Sequence, residues 1–566
     1  MHAERMIVHG IAAVMLLLLS GCSGGSNDAP PQLSAAVGAS LKSCSDLPAV
    51  FSFAGTTVTS AADVPAGTLT VGGTAVPAHC QVVGTMNQRT GINGNYAIGF
   101  EMRMPVDWNG RFFYQANGGT DGAVVTATGA AGGGPLTNAL SKGFAVISSD
   151  AGHNAAQNAG GSANFGHDPQ ARLDYGYQAV GKLTPMAKSM IQAGYGKGPD
   201  RSYIGGCSNG GRHTMVAAVR YADQFDGYLV GNPGFNLPKA AAANIAGFQR
   251  YVTVATNPED VSTAFTTAER SLVSNAVIGK CDALDGATDG LVQDTTACQG
   301  AFDLNRDVPT CSAERNGSCL SAAQKTVIAQ LFAGAQTSKG SKIYSTWPYD
   351  AGLDTTGWAF WKFSVPLNLD SVAVGQIFEV PPENPATFNG PAFARTGNVD
   401  EMVARINASD TTFTESAMSF MTPPNASDLS RLRDRGAKIM VYHGTADPIF
   451  SSDDTTAWYE GVRDANGGYA ADFARFYRIP GMNHCSGGPS TDQFDMLSPL
   501  VAWVEQAQAP DAVTASARGP GNAGGANAAV PANWSANRTR PLCPYPRVAR
   551  YTGTGSLEVA ESFACR

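Results

Sequence analysis

Short apolar runs alternate with glycine-rich turns along the first part of the chain, from about residue 45 to 235. The segments 110–122 and 143–154 each predict a strand that enters a turn. Apolar residues at helical spacing in 174–196 predict a helix, and 201–221 predicts a strand, a sharp glycine turn and a second helix. Strands that alternate with helices in this way indicate an α/β protein with a parallel sheet.

The same pattern returns near the end of the chain. The segments 437–450 and 472–488 each predict a strand that feeds a polar loop, and 495–508 predicts a closing helix. Between them, residues 240–430 are rich in Ala, Thr, Asn and Asp and contain four cysteines and an aromatic stretch. We therefore predict a core in two parts, 44–239 and 431–566, with a large lid domain, 240–430, inserted between them.

The N-terminus has the pattern of a targeting segment. A positive residue, Arg5, precedes an apolar run that ends in "LSGC", and this ending resembles a bacterial lipobox. We predict a signal peptide over 1–22, lipidation of Cys22 and a flexible tether over 23–43. The protein is then exported and either lipid-anchored to the bacterial cell envelope or secreted. The alternative is an ordinary cleaved signal in which Cys22 has no special role.

Composition and charge narrow the class of partner. The 566 residues are 43% hydrophobic and 15% charged, which is typical of a globular protein. The formal net charge of −8 provides no basic surface, so we expect no nucleic-acid partner. We expect membrane contact only through the N-terminal lipid anchor.

Eleven cysteines point to disulfide formation, because an exported protein meets an oxidising compartment. Without Cys22 an even number remains. Spacing favours three local pairs: Cys281 with Cys298, Cys311 with Cys319, and Cys543 with Cys565. Cys44 and Cys80, nearer the N-terminus, are the natural fourth pair. Cys207 and Cys485 are left over, although spacing alone does not prove any connectivity.

The candidate nucleophile is Ser208. Residues 206–210, "GCSNG", match G-x-S-x-G, in which glycines allow a strained strand-to-helix turn that exposes the serine hydroxyl. The pattern alone is weak in a chain with 65 glycines. The strand predicted before it and the helix predicted after it supply the context that the motif needs.

A serine hydroxyl needs a base that an acid holds in place. In the α/β-hydrolase fold the order along the chain is serine, acid, histidine. Asp447 and His484 follow the last two predicted strands in that order, where active sites of such sheets lie. A Cys207–Cys485 bridge would require the same proximity as a Ser208–His484 hydrogen bond. The other candidate bases outside the signal peptide are His79, His153, His167, His213 and His443.

The motifs "GGCSNGGR", "GTADPI", "GMNHCSGG" and "RPLCPYPRVARY" resemble the tannase/feruloyl esterase family of serine esterases, which includes bacterial mono(2-hydroxyethyl) terephthalate hydrolases. The resemblance runs from about residue 44 to the end. It implies an α/β-hydrolase core with a lid, a Ser208–Asp447–His484 triad, a Cys207–Cys485 bridge and the four other pairs given above. It also implies an oxyanion hole from the backbone N–H groups of Asn209 and Gly119, with Gly118 as the alternative to Gly119.

The resemblance further implies a structural Ca²⁺ site. The segment 281–294, "CDALDGATDGLVQD", carries four aspartates among glycines, and Ca²⁺ prefers such carboxylate and carbonyl oxygens. The expected ligands are the side chains of Asp282, Asp285 and Asp289 and the carbonyls of Ala287 and Leu291. Without the resemblance, the segment is equally typical of a solvated acidic turn.

The expected activity is hydrolysis, through an acyl-enzyme, of small carboxylic esters with a feruloyl, galloyl or terephthaloyl group. Aromatic residues that could stack on such a ring, or simply pack within the lid, are Trp358, Phe360, Trp361 and Phe363. Phe450, close after Asp447, is another candidate for the wall of the pocket. Arg395 is a possible partner for a free substrate carboxylate. Two alternatives are a lipid-anchored binding protein of the same fold without turnover, and a peptidase with the same triad.

Overall fold

Nine strands form the central sheet in the computed structural model, which describes residues 31–154 and 163–566. The predicted signal peptide and Cys22 lie outside the described residues. The strands, in chain order, are β1 Thr56–Val64, β2 His79–Thr90, β3 Asn95–Pro105, β4 Arg111–Gln115, β5 Ala145–Ser149, β6 Arg201–Cys207, β7 Gly227–Gly231, β8 Lys438–Gly444 and β9 Ala474–Ile479.

Across the sheet the strand order is β9-β8-β7-β6-β4-β5-β3-β2-β1. Neighbouring strands from β9 to β5 are parallel, whereas β1, β2 and β3 form antiparallel pairs with their neighbours. Strands β6 to β9, which precede or carry the motif residues, are therefore parallel neighbours. Their carboxyl ends meet along one edge.

Both faces of the sheet are covered by helices. Along β7, Tyr228 and Val230 enter one hydrophobic core and Leu229 enters the other. Because side chains alternate between two buried faces, these strands are continuous apolar runs. Helices Ala179–Tyr195, Asn209–Arg220 and Ser452–Ala465 pack against the first face, and Leu497–Gln506 packs against the second.

The predicted lid region contributes to several hydrophobic cores. Most residues of the separate lid cluster lie between 248 and 367, on helices that include Leu237–Val252, Thr267–Cys281, Thr295–Ala301, Leu304–Asp307 and Ala322–Phe332, and Ala394 of helix Gly390–Thr396 joins them. A smaller cluster packs Ile343, Tyr344 and Val365 against Ile449 and Phe450. Most buried side chains between 373 and 432 instead join the main core, from helices that include Val399–Ile406, Ala417–Met421 and Ser430–Asp434. The domain boundaries stay a prediction.

Residues 31–43, predicted as the second part of a flexible tether, lie against the core. Ala39–Ser40 pairs with Asp107–Trp108, and the side chain of Gln32 donates to the carbonyl of Val504 at 2.8 Å. The backbone N–H of Ala36 donates to Glu505 at 2.9 Å. These contacts hold part of the segment against the core. Residues 23–30 lie outside the described residues, so the tether over 23–43 stays a prediction.

The C-terminal segment forms small sheets beside the predicted calcium loop. Gln493–Phe494, Val513–Ser516 and Thr539–Leu542 form one sheet, and Ala549–Tyr551 pairs with Phe563–Cys565. Ala287, from the loop, packs in one cluster with residues of this segment. The C-terminus therefore covers part of the inserted region.

All five predicted cysteine pairs are joined in the structure: Cys44–Cys80, Cys207–Cys485, Cys281–Cys298, Cys311–Cys319 and Cys543–Cys565.

Within 31–154 and 163–566, the structure contains no helix whose length and apolar character would suit a membrane crossing.

Candidate active site

Ser208 occupies a strained turn between β6 and the helix Asn209–Arg220. Its φ of 67° and ψ of −127° are rare for a residue with a side chain. A Cβ atom built on Gly206 or Gly210 would lie 2.2 or 2.3 Å from the carbonyl oxygen of Ala116. Both glycines are therefore required by close backbone packing, as the G-x-S-x-G motif predicts.

His484 lies on the loop after β9 and connects Ser208 to Asp447. Its Nε2 is 2.8 Å from Oγ of Ser208, and its Nδ1 is 2.8 Å from Oδ2 of Asp447. A carboxylate only accepts hydrogen bonds, so Nδ1 carries the proton and Nε2 accepts from the hydroxyl. The structure thus places the three predicted residues in one hydrogen-bonded chain.

Asp447 is buried, and its environment favours the carboxylate. Oδ1 accepts from the backbone N–H groups of Ile449 and Phe450 at 2.9 and 3.2 Å, and Oδ2 accepts from Nδ2 of Asn232 at 2.8 Å. Burial opposes ionisation, but His484 and the hydrogen bonds from His443 and His484 hold the pKa of Asp447 well below its usual value. The group therefore presents a fixed negative charge to the imidazole.

The Cys207–Cys485 bridge joins the residue before Ser208 to the residue after His484. The two Cα atoms are 6.0 Å apart, although 278 positions separate them in sequence. The bridge thus connects the turn that carries the hydroxyl directly to the loop that carries the imidazole.

The other described histidines have different partners. Ring nitrogens of four of them lie near groups away from Ser208: His79 near Pro77 and Arg103, His153 near Thr120, His167 near Gln376, and His213 near Asp121. His443 contacts the site indirectly, because its Nε2 is 3.0 Å from the carbonyl of Phe450 and 3.2 Å from Oδ2 of Asp447. The sequence did not predict the contacts that His443 and Asn232 make with Asp447.

Two of the candidate oxyanion donors lie next to Ser208. Asn209 is the first residue of the helix that follows it. A Cβ on Gly118 would lie 3.7 Å from Cβ of Ser208, whereas nothing lies within 4 Å of a Cβ built on Gly119, which has a φ of +64°. The predicted role of Gly119, with Gly118 as its alternative, stays a prediction.

The predicted aromatic residues divide into two groups. Trp361 and Phe450 contact the ring of His484 edge to face, with centroids 4.9 and 5.4 Å apart. Trp358 and Phe363 pack together in the separate lid cluster, and Phe360 is 55% exposed. Only the first pair is placed to form a wall of the site.

Arg395, the predicted partner for a substrate carboxylate, lies away from the site, whereas Lys362 lies beside it. The guanidinium of Arg395 donates to the backbone carbonyls of Pro258 and Glu259, away from Ser208. Lys362, which sequence reasoning missed, lines a cavity of about 40 Å³ beside Asp447, with Nζ 3.6 Å from the Trp347 ring centroid. Burial lowers the pKa of Lys362 to about 7.

The predicted calcium loop clusters its carboxylates, but largely satisfies them internally. Asp282 accepts from the N–H groups of Asp289 and Gly290 at 3.0 and 2.9 Å, and Asp289 also contacts the guanidinium of Arg540. Burial raises the pKa of Asp285 to about 7, and its Oδ2 is buried without a hydrogen-bond partner. The part of the chain that the structure describes contains no group of three or more His, Cys, Asp or Glu side chains arranged to hold a metal ion. The calcium site therefore stays a prediction.

Comparisons with known proteins agree with this geometry. A family model described as tannase and feruloyl esterase matches residues 80–566. The chain is 40% identical over 546 residues to mono(2-hydroxyethyl) terephthalate hydrolase of Piscinibacter sakaiensis, covering 90% of this chain and 89% of the relative. It is 27% identical over 492 residues to feruloyl esterase C of Talaromyces stipitatus, covering 83% of this chain and 82% of that relative.

A solved structure is similar over nearly the whole fold. The crystal structure of feruloyl esterase B from Aspergillus oryzae superposes with a TM-score of 0.72 and 25% identity, covering 92% of this chain and 99% of that chain. This likeness and the observed sheet confirm the predicted fold class, an α/β-hydrolase core.

Proposed function

Because this chain belongs to the tannase and feruloyl esterase family, and is thus a carboxylic ester hydrolase, we propose that Ser208, His484 and Asp447 hydrolyse esters of aromatic acids. The observation that carries the proposal is the pair of 2.8 Å contacts that join the three side chains. They have the connectivity that a serine nucleophile, its base and the acid behind it require.

The geometry supports a two-stage reaction. Oγ of Ser208 attacks the ester carbonyl while Nε2 of His484 removes its proton, and Asp447 stabilises the resulting imidazolium. The N–H groups of Asn209 and Gly119 stabilise the negative oxygen of the tetrahedral intermediate. His484 then protonates the departing alcohol, which leaves an ester on Ser208. A water molecule, deprotonated by His484, cleaves that ester and releases the acid.

An aromatic acyl group suits the wall beside the imidazole. The edges and faces of Trp361 and Phe450 already pack against the His484 ring, so a planar acyl group bound to Ser208 meets apolar surface. Feruloyl, galloyl and terephthaloyl esters are all of this class.

We propose that the protein is exported. The five disulfides in the described residues require an oxidising compartment to form and persist. Lipidation of Cys22 and anchoring to the cell envelope are part of the same proposal and rest on the N-terminal pattern alone.

A panel of esters tests the proposed substrate class. We expect monoesters of ferulic, gallic or terephthalic acid to react with a higher kcat/KM than acetyl esters of the same alcohol. Trp361→Ala should reduce this preference about tenfold, because one apolar wall of the acyl site is lost. Tyr469→Ala is the control, since that ring is 59% exposed and lies in the loop between helix Ser452–Ala465 and β9, and it should keep the preference. Equal rates on aromatic and acetyl esters would contradict the assignment.

We also propose that Asp282, Asp285 and Asp289, with the carbonyls of Ala287 and Leu291, hold a structural Ca²⁺. The clustered, buried carboxylates and the unpartnered Oδ2 of Asp285 support the proposal, because a divalent cation would neutralise them. The contact of Asp289 with Arg540 opposes it in part.

Chelation should therefore lower the melting temperature. A ligand bound only by the native state at a hundred times its Kd contributes about 2.7 kcal/mol, so we expect EDTA to lower Tm by a few degrees and Ca²⁺ to restore it. Asp285→Asn should abolish this response in differential scanning calorimetry. Asp303→Asn, which removes an exposed carboxylate in the same region but keeps its helix cap, should keep it. A melting temperature that is the same with EDTA and with Ca²⁺ would rule out the site.

A further inference from the structure

A buried polar network joins the loop 118–122 to the helix that follows Ser208. Oδ2 of Asp121 accepts from the side-chain amide of Asn209 at 2.8 Å and lies 2.9 Å from Nε2 of His213. The Asp121 and His213 side chains are only 2% and 4% exposed. One carboxylate oxygen thus connects the loop to two positions on the helix, one turn apart.

The loop is held on its other side as well. Asp121 has a left-handed φ of 55°, and the turn is closed by its N–H, which donates to the carbonyl of Gly118 at 3.3 Å. The N–H of Gly122 donates to the carbonyl of Asp150 at 3.2 Å, and Nε2 of His153 donates to the carbonyl of Thr120 at 2.8 Å. Contacts from the segment that follows β5 therefore fix the loop directly after Gly119.

The helix side of the network is fixed by Arg212. Its Nε donates to Oδ1 of Asn209 at 2.6 Å, its Nη1 donates to the carbonyl of Gly176 at 2.7 Å, and its Nη2 lies 3.1 and 3.0 Å from Nδ1 and Nε2 of His213. The carboxylate of Asp121 can only accept, so Nε2 of His213 carries the hydrogen and donates to it, which leaves Nδ1 as the acceptor for Arg212. Burial and the Arg212 charge keep the pKa of His213 well below its usual value, so the ring is neutral.

We propose that Asp121 and His213 are positioning residues that fix the distance between the loop carrying Gly118 and Gly119 and the backbone N–H of Asn209. These are the two halves of the oxyanion hole, so the proposal rests on the proposed esterase mechanism. An oxyanion hole stabilises the intermediate only when its donors are already in place, because reorganisation during the reaction costs free energy. Asp121 and His213 touch neither the substrate nor Ser208.

The network also gives the hole a dependence on pH. Burial raises the pKa of Asp121 to about 7, against the opposing effects of His153, Arg212 and the Asn209 hydrogen bond. Below that pH the carboxyl becomes neutral and accepts more weakly from Asn209 and His213. We therefore expect the distance between the loop 118–122 and the N–H of Asn209 to become less fixed as the pH falls. The groups that face Asp121 from the packed elements are Asn209, Arg212, His213, His153, Asp150, Tyr114 and Tyr175.

Asp121→Asn tests the proposal through kcat and its pH profile. The variant resembles the protonated state at every pH, so kcat above pH 8 should fall about 30-fold with KM changed less than threefold, since small displacements of catalytic groups are costly. The ratio of wild-type to variant kcat should fall from about 30 towards 1 as the pH falls through about 7, because the wild-type carboxyl then becomes neutral as well. His213→Gln, which keeps an N–H donor, should retain most activity, and His213→Ala should resemble Asp121→Asn.

Asp226→Asn is the matched control. This largely buried carboxylate accepts from the N–H of Ser202 at the opposite end of β6, so its loss should leave kcat at the wild-type value at every pH. An Asp121→Asn variant with wild-type kcat above pH 8, or with a wild-type to variant ratio that does not change with pH, would overturn the proposal.

Hydrogen exchange gives a second measurement that needs no turnover. Amides of residues 116–123 should exchange at least tenfold faster in Asp121→Asn than in wild type and Asp226→Asn. Faster exchange in a protein that hydrolyses no ester would refute the esterase while supporting the network's role in holding the loop. Unchanged exchange in an active protein would refute the network and leave the esterase intact.

Discussion

Replacing Ser208 by alanine is expected to lower kcat on an aromatic ester by a factor on the order of 10⁵ or more, because nothing else in the chain of hydrogen bonds can form the acyl-enzyme. The remaining residues can still bind the ester and stabilise an oxyanion, but His484 then has only water to activate. Stopped-flow release of p-nitrophenol from a p-nitrophenyl ester measures both effects. The wild type should show an initial burst, and the variant should show neither burst nor turnover.

Ser202→Ala is the control for this substitution. Ser202 is a buried serine on β6, the strand that leads to Ser208, and its change should leave the burst intact. If Ser208→Ala kept the burst, Ser208 would not be the nucleophile. If the wild type had neither burst nor turnover on any aryl ester or amide, the alternative of a binding protein without turnover would be correct.

Much of the fold follows from sequence where both faces of a strand are buried. Strand β8 consists entirely of buried residues, and its apolar run from Ile439 to Tyr442 predicts a central strand without further information. Strand β1 is the opposite case, because most of its side chains are at least partly exposed at the edge of the sheet. Its Thr, Ser and Ala residues carry little hydrophobic pattern, so the antiparallel edge was not predicted.

The inserted region shows a second limit of sequence patterns. A change of composition marks where an insertion lies, but it does not show which core its helices join. Val374 and Phe420 have the same apolar character as Val277 and Phe332, yet the first two pack in the main core and the last two in the lid cluster. That difference is decided by tertiary contacts.

The triad was predicted because its members lie in motifs, while its supporting residues do not. Asn232 and Asp447 are 215 positions apart, and Asp121 and His213 are 92 apart. A single buried Asn or Asp in a loop is common in any protein, so its sequence context gives no signal. Only the fold shows that these side chains face each other.

Removal of the Cys207–Cys485 bridge is expected to affect both rate and stability. The bridge spans 278 positions, and the loop-entropy model gives such a cross-link roughly 5 kcal/mol of stabilisation. We expect removal to cost less than this, because other contacts across the same sheet edge still hold the two segments together. The rate should fall about 10- to 100-fold, because the strained turn at Ser208 and the loop at His484 would move independently. Cys207→Ala with Cys485→Ala, assayed well below its melting temperature, measures the change in kcat and in Tm separately.

The Cys311–Cys319 bridge supplies the comparison that separates the two effects. It spans eight positions in the lid region, and the same model gives it roughly 2–3 kcal/mol. Its removal should lower Tm but leave kcat unchanged, because the residues around Ser208 and His484 keep their connection. A loss of kcat in both double variants would mean that general destabilisation causes the effect. A loss confined to the Cys207 and Cys485 pair would mean that the covalent link itself holds the hydroxyl against the imidazole.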